Sequence, residues 1–320
     1  MAEIGKDLEK AAALLREGKL VAIPTETVYG LAANALNPEA VTRIFEVKDR
    51  PYFDPLIVHT YSFEEAKKYA SSFPDTARRL AKEFWPGPLT LVLPKKNEIP
   101  DIVTAGQSTV GLRVPNHELT LKLLRGLPFP LAAPSANPFG YVSPTTPQHV
   151  NDQLGEKIDY ILDGGDCAVG IESTIISFAH GNNAEVLRLG GLEILRIAKI
   201  TGSLREILHQ NSDPSAPGQL DQHYAPGCAL VPESGEPMQW KKFLGKKICW
   251  LRFKELQPGT PVNDQFVLAP DGKMSTAATR LFSLLRQMDT ENYEIAIVEA
   301  IPDEGLGRAI NDRLKRAGVR

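Results

Sequence analysis

Five short stretches of this chain crowd hydroxyl, basic and small residues together closely enough to do chemistry. Pro24-Thr25-Glu26-Thr27-Val28-Tyr29-Gly30 follows the apolar run Leu20–Ile23, so its polar groups lie at the end of a strand, where open α/β sheets bind ligands. Lys48-Asp49-Arg50-Pro51 closes a helical pattern and runs on through Tyr52, Phe53, Asp54 and Pro55 to His59. Basic residues there can cap helix carbonyls, or Arg50, stiffened by Pro51, can grip phosphate oxygens in pairs. In Thr109-Val110-Gly111-Leu112-Arg113-Val114 the polar and small residues alternate with apolar ones. Arg113 therefore shares a strand face with Thr109 and Gly111, where it can hold a carboxylate or pair with a surface acid. Ala132 to Gly140, with Ser143 beyond, sets Ser135 and Asn137 among prolines and small residues, a stiff loop that lets a ligand approach the backbone. Asp163-Gly164-Gly165 and Gly170-Ile171-Glu172-Ser173-Thr174 lead into Ile175–Phe178, with Arg188 on the following strand. Taken singly, each stretch is also compatible with an ordinary turn, cap or hairpin.

The elements that must hold these stretches alternate. Strand-like runs are expected at 20–23, 56–59, 89–93, 110–114, 160–162, 174–178 and 186–189. Helical spacing occupies 5–17, 38–47, 63–70, 75–84 and 118–124. That is an α/β domain, with spacing too irregular for a simple parallel sheet. Periodicity stops over NSDPSAPGQLDQHYAPG, a linker composition. Strands at 248–253, 266–269 and 295–298 and helices at 275–288 and 306–317 follow. We expect a first domain at 1–210, a linker at 211–227 and a smaller α/β domain at 228–320. The tail carries Arg308, Arg313, Lys315, Arg316 and Arg320, which predicts a solvated helix face, with RNA contact as the alternative.

Composition narrows the chemistry. A net charge of −3 gives no global field for nucleic acid, so any RNA contact must be local. Cys167, Cys228 and Cys249 have no metal spacing, and three thiols suit a reducing cytoplasm rather than a disulfide scaffold. No secretory leader and no membrane-spanning run is expected. P-loop, dinucleotide, metalloprotease and nucleophile-elbow motifs are all missing, so a bound nucleotide would have to be held by basic side chains, hydroxyls and loop N–H groups.

In their order, PTETVYGLAANA, KDRPYFDPLIVH, WPGPLTLVLP, TVGLRVPNH, APSANPFGYVSPT and GGDCAVGIESTI closely resemble the YrdC-like threonylcarbamoyl-AMP synthase family. DQHYAP and the second domain resemble that family's long form. The resemblance implies a twisted mixed sheet around a large basic concave pocket, with a smaller Rossmann-like α/β domain after it. It implies ATP-dependent joining of L-threonine and bicarbonate or CO2 into threonylcarbamoyl-AMP, with pyrophosphate released and Mg2+ carried by the ATP. On matching positions Thr27, His59, Arg113, the Ala133 backbone and Ser173 would hold threonine. Lys48 and Arg50 would face the phosphates, and Thr109, Ser135, Ser143, Arg188 and Tyr224 would add nucleotide contacts, Tyr224 as a lid with His223 beside it. Many relatives carry Asn where this chain has Asp54, which leaves its role open between the metal side and structure. The implied partner is a separate transferase that modifies the adenosine beside the anticodon. Two rivals are a carbamoyl-transfer module of the hydrogenase-maturation type, which three scattered cysteines oppose, and a non-catalytic RNA-binding surface.

Overall fold

The structure, a computed structural model of the 320-residue chain, describes residues 1–208, 214–220, 223–234, 239–260 and 264–318. Linker residues 209–213, 221 and 222 and the terminal Arg320 lie outside the described residues.

The first sheet has eleven strands: β1 (Glu3–Gly5), β2 (Val21–Ile23), β3 (Gly30–Asn34), β4 (Ile57–His59), β5 (Leu89–Pro94), β6 (Thr109–Arg113), β7 (Leu131–Ala132), β8 (Tyr160–Leu162), β9 (Thr174–Ser177), β10 (Glu185–Arg188) and β11 (Arg205–Glu206). Their order across the sheet is β1-β8-β2-β3-β7-β4-β6-β5-β9-β10-β11. Pairing is mixed: β4 with β6 is parallel, whereas β5 with β6 and β2 with β3 are antiparallel. Around it lie α1 (Leu8–Arg16), α2 (Pro38–Lys48), α3 (Phe63–Ala66), α4 (Asp75–Phe84), α5 (Asp101–Thr104), α6 (Glu118–Arg125), α7 (Pro147–Leu154) and α8 (Ile194–Thr201). The second sheet is four-stranded and parallel, in the order β12-β15-β13-β14, from β12 (Ala229–Pro232), β13 (Ile248–Arg252), β14 (Gln265–Val267) and β15 (Ile295–Val298). It carries α9 (Met274–Thr290) and α10 (Leu306–Gly318).

Local chemistry explains the helix that leads into the basic turn. Asn37 caps α2 by accepting from the N–H groups of Glu39 and Ala40, and Pro38 supplies a first turn that needs no N–H. Ala40, Val41, Ile44 and Phe45 fall on one face and are buried, each of the larger ones contributing roughly 1.5–3 kcal/mol. Asp49 ends the helix in the left-handed region, at φ 53°, which turns the chain sharply into Arg50.

Gly30–Asn34 is an unexpected strand. Its run of alanines favours a helix, but pairing with β2 and β7 overrides that preference. Gly30 lets the strands pack closely there: a Cβ on it would come within 3.1 Å of the Ala133 Cβ, so Ala133 would have to shift slightly. The expected solvated face of the last helix is also corrected. Arg313 and Arg316 are buried to 0% and 1% exposure, because acids and carbonyls of the first domain, the linker and α10 itself surround them.

Candidate active site

The polar stretch after β2 folds on its own hydroxyls. Thr25 Oγ1 lies 2.8 Å from Thr27 Oγ1, donates to the Val28 carbonyl at 2.7 Å and accepts from the Val28 N–H. Thr27 Oγ1 accepts from Arg113 Nη2 at 2.9 Å, and Glu26 Oε1 stands 2.8 Å from the same nitrogen. Glu26 Oε2 also accepts from the Asn116 N–H at 3.0 Å. The other guanidinium edge of Arg113 is buried, with no hydrogen-bond partner on Nε. Arg113 and His59 are register partners on β6 and β4, so they project from the same sheet face. Burial, and then the Arg113 charge, holds His59 down to a pKa of about 3, leaving it neutral.

A second set surrounds a different part of the same hollow. Arg50 donates through Nε to the Asp54 carbonyl (3.1 Å) and through Nη2 to the Pro55 carbonyl (2.9 Å). The Asp54 carboxylate is 2.9 Å from Nη2, as an ion pair without hydrogen-bond alignment. Arg188 donates to the Ser173 carbonyl, to Ser173 Oγ and, through Nη1 at 3.2 Å, to the Pro217 carbonyl of the linker. Ser173 Oγ is 2.8 Å from Thr90 Oγ1. Glu172 accepts from Ser143 Oγ at 2.5 Å and pairs with Arg313 of α10 at 3.1 Å. Tyr224, at φ 63°, lies against His223, Phe282 and the Arg313 guanidinium, with ring-centre distances of 4.0, 5.6 and 5.2 Å. Burial, then Arg50, Lys48, Arg188 and Arg313, drives His223 well below its ordinary pKa.

Arg50, His59, Arg113, Ala133, Ser135, Glu172, Arg188, Gly218, His223 and Tyr224 line one cavity of about 50 Å3, counted as the space open to the centre of a water molecule. The charge around it is unbalanced. Lys48, Arg50, Arg113, Arg188, Arg313 and Arg316 are buried about the hollow against Glu26, Asp54, Glu172 and Asp312, which leaves positive charge for an incoming anion.

Several expected residues stand one step back. Thr27 reaches the cavity through Arg113, Ser173 through Arg188, and Ser143 through Glu172. Lys48 is not on the cavity wall: its ammonium donates to the Ser135 carbonyl at 2.6 Å and to the Asn137 carbonyl, which pins the Ala132–Gly140 loop. Thr109 faces an adjoining recess with Thr90, Gln107 and Ser215 to Pro217. Glu26 and Glu172 were visible in their phrases but carried no sign of which cation each would meet. Arg313 stands in the sequence only as one charge of a basic tail, with nothing to link it to this hollow. A roomier recess of about 340 Å3 on the same measure lies at the ends of β12 and β15, but its lining is largely apolar and lacks the cluster of cations. Among the described residues no group of three or more His, Cys, Asp or Glu side chains could hold a metal, and no helix is long and apolar enough to cross a membrane.

The chain is similar to known proteins over nearly its whole length. Residues 13–190 match the Sua5/YciO/YrdC family profile, described as "Telomere recombination", and residues 190–318 match the profile described as "Threonylcarbamoyl-AMP synthase, C-terminal domain". A threonylcarbamoyl-AMP synthase of Pyrococcus abyssi is 41% identical over 318 residues, covering 96% of this chain and 92% of the relative. One from Bacillus subtilis is 38% identical, covering 97% and 92%. The crystal structure of P. abyssi Sua5 complexed with L-threonine superposes with a TM-score of 0.91 at 38% identity, over 99% of this chain and 97% of that one. Escherichia coli YciO, at 23% identity and a TM-score of 0.53, shares the fold of the first domain.

Proposed function

We infer, from the premise that this chain belongs to the Sua5/YciO/YrdC family in its two-domain threonylcarbamoyl-AMP synthase form, that it makes threonylcarbamoyl-AMP for tRNA modification. The observation that carries this reading is one enclosed, cation-rich hollow joining the Arg113 pocket to the Arg50 and Arg188 guanidiniums under Tyr224.

We assign the threonine carboxylate to Arg113, whose Nε edge is buried and unpartnered. Thr27, neutral His59 and the Ala133 backbone would meet the amino acid's other polar groups, with Ser173 beside them. Arg50 and Arg188 would face the phosphates, and Ser135, Tyr224 and, through Glu172, Ser143 would shape the nucleotide's place. Thr109 would act from the adjoining recess. Lys48 would then be a positioning residue, acting through the loop carbonyls it holds. Magnesium belongs to the substrate, carried on the triphosphate. Asp54 and Glu172, the carboxylates at that end, are each committed to an arginine, which fits an ion held by phosphate oxygens better than a protein cage.

The reaction is a nucleotidyl transfer. Threonine's amine adds to CO2 and loses a proton, giving an N-carboxylate. An oxygen of that carboxylate attacks the α-phosphorus, the α–β bridging bond breaks and pyrophosphate leaves with the electron pair. No covalent enzyme intermediate is required; the protein orients two anions and neutralises developing charge. The mixed anhydride is labile to water, and Tyr224 over the cavity shields it until a downstream tRNA threonylcarbamoyl transferase receives it. We place this work in the cytoplasm, with the tRNA that the downstream transferase modifies.

Purified protein given ATP, Mg2+, bicarbonate and each amino acid in turn should release pyrophosphate with threonine and form a threonine-labelled adenylate. Pyrophosphate release indifferent to threonine would refute the assignment.

A further inference from the structure

Burying an arginine is costly unless its charge is used, and α10 buries two. Arg313 Nε and Nη2 both donate to Glu172 Oε2, at 3.2 and 3.1 Å, across 141 residues of sequence, while Nη1 donates to the Leu189 carbonyl just after β10. Glu172 lines the cavity, and its other oxygen holds Ser143. The same guanidinium lies 5.2 Å from the centre of the Tyr224 ring, whose plane stacks at 21° on Phe282 of α9. One turn on, Arg316 donates to the Leu220 and Leu208 carbonyls in and beside the linker. Asp312 pairs with both arginines.

We propose that Arg313 of the C-terminal domain is a positioning residue for the nucleotide end of the cavity: it neutralises Glu172 and seats Tyr224, so that the second domain completes the site of the first. This rests on the synthase reading, which puts phosphates at that end. Left unpaired, Glu172 would present a negative charge to an incoming triphosphate. Among the described residues, the hydrogen bonds and ion pairs of Arg113, Glu26, Thr27 and His59 involve none from the second domain, so the Arg113 end of the pocket does not need Arg313 for its contacts. Plain interdomain adhesion is the competing account. The exposed Arg308–Glu206 pair, which also bridges the two sheets' elements but touches no cavity residue, serves as its control.

Calorimetric titration of the full chain with a non-hydrolysable ATP analogue and, separately, with L-threonine distinguishes the two. Arg313→Met is expected to weaken the analogue at least about tenfold while threonine stays within about threefold. Arg313→Lys, keeping charge without the fork, should fall between wild type and Arg313→Met. Arg308→Met should bind both ligands like wild type. Adding Glu172→Gln to Arg313→Met should cost less than the sum of the single losses, since the carboxylate that Arg313 serves is gone. Equal losses for both ligands, unchanged analogue affinity, or strictly additive losses would overturn the proposal. If Arg313→Met does not fold, Arg313→Lys and Glu172→Gln decide it by the same ratio of nucleotide to threonine loss. Wild-type protein that binds neither ligand sinks the synthase reading and this role with it; wild-type binding beside an indifferent Arg313→Met sinks only this role.

Discussion

The threonine end and the nucleotide end of the cavity are built in different ways. At the first, Glu26, Thr27, His59 and Arg113 come from strands and strand ends of a single sheet and meet over short, ordered contacts. At the second, Arg50 and Glu172 come from loops, Arg188 from β10, Tyr224 from the linker and Arg313 from a helix of the other domain. One end is fixed by sheet register; the other exists only when five separate segments are brought together. A site on a sheet is preorganised by the fold's own hydrogen bonds, whereas an assembled one depends on buried ion pairs whose removal is felt at a distance.

The comparison can be broken most forcefully at Arg113. Arg113→Ala should lower threonine-dependent pyrophosphate release by at least about 100-fold, with ATP-analogue affinity kept within a fewfold. It also leaves Glu26 buried and unpaired, a loss of about 3–5 kcal/mol in a urea titration. Arg113→Met combined with Glu26→Gln should recover most of that stability and none of the activity. Threonine binding that survives in the double variant would remove Arg113 from the site.

A middle-sized effect belongs to the assembled end. Tyr224→Ala should weaken the ATP analogue by about tenfold, with threonine affinity unchanged, because the ring's stacking and cation contacts lie with Phe282 and Arg313. Gly218→Ala should mimic it in part. Gly218 has φ +80°, and a Cβ there would come within 3.0 Å of the Tyr224 hydroxyl, so the substitution is strained on both counts. Equal effects on the two ligands in titrations of these variants would erase the distinction between the ends.

The smallest effect is in acid. His59 is neutral in the folded protein with a pKa of about 3, and His223 is likewise driven down by burial and nearby cations. Both take up protons more readily when the chain unfolds, so the stability they contribute is fully present above about pH 6.5 and is lost as pH falls. Thermal melts should drop by about 3–6 °C between pH 7 and pH 5. His59→Gln should flatten that slope without steepening the dependence on ATP.

These two ends also differ in how far they could be foreseen. The alternation around Arg113 predicts its face and its strand, because a period of two is local information. The Lys48-to-Pro51 turn was likewise visible, but the destination of each cation was not. Only the folded chain shows that Lys48 spends its ammonium on two carbonyls while Arg50 faces the hollow. Gly30–Asn34 was missed as a strand because its propensity is helical and only β2 of its two partners is local, the other, β7, lying about 100 residues away. The basic tail misled for the opposite reason: helical spacing says which residues share a face, not whether another domain covers it.

The pairing of β4 with β6 sets Ile57 opposite Gly111, Val58 opposite Leu112 and His59 opposite Arg113. A frame shift of a single position in either strand would swing His59 or Arg113 into the apolar layer and bring a valine or leucine to the amino acid. An insertion or deletion inside β4 or β6 would therefore cost recognition as well as packing, whereas one in the loops between them leaves the pairing intact.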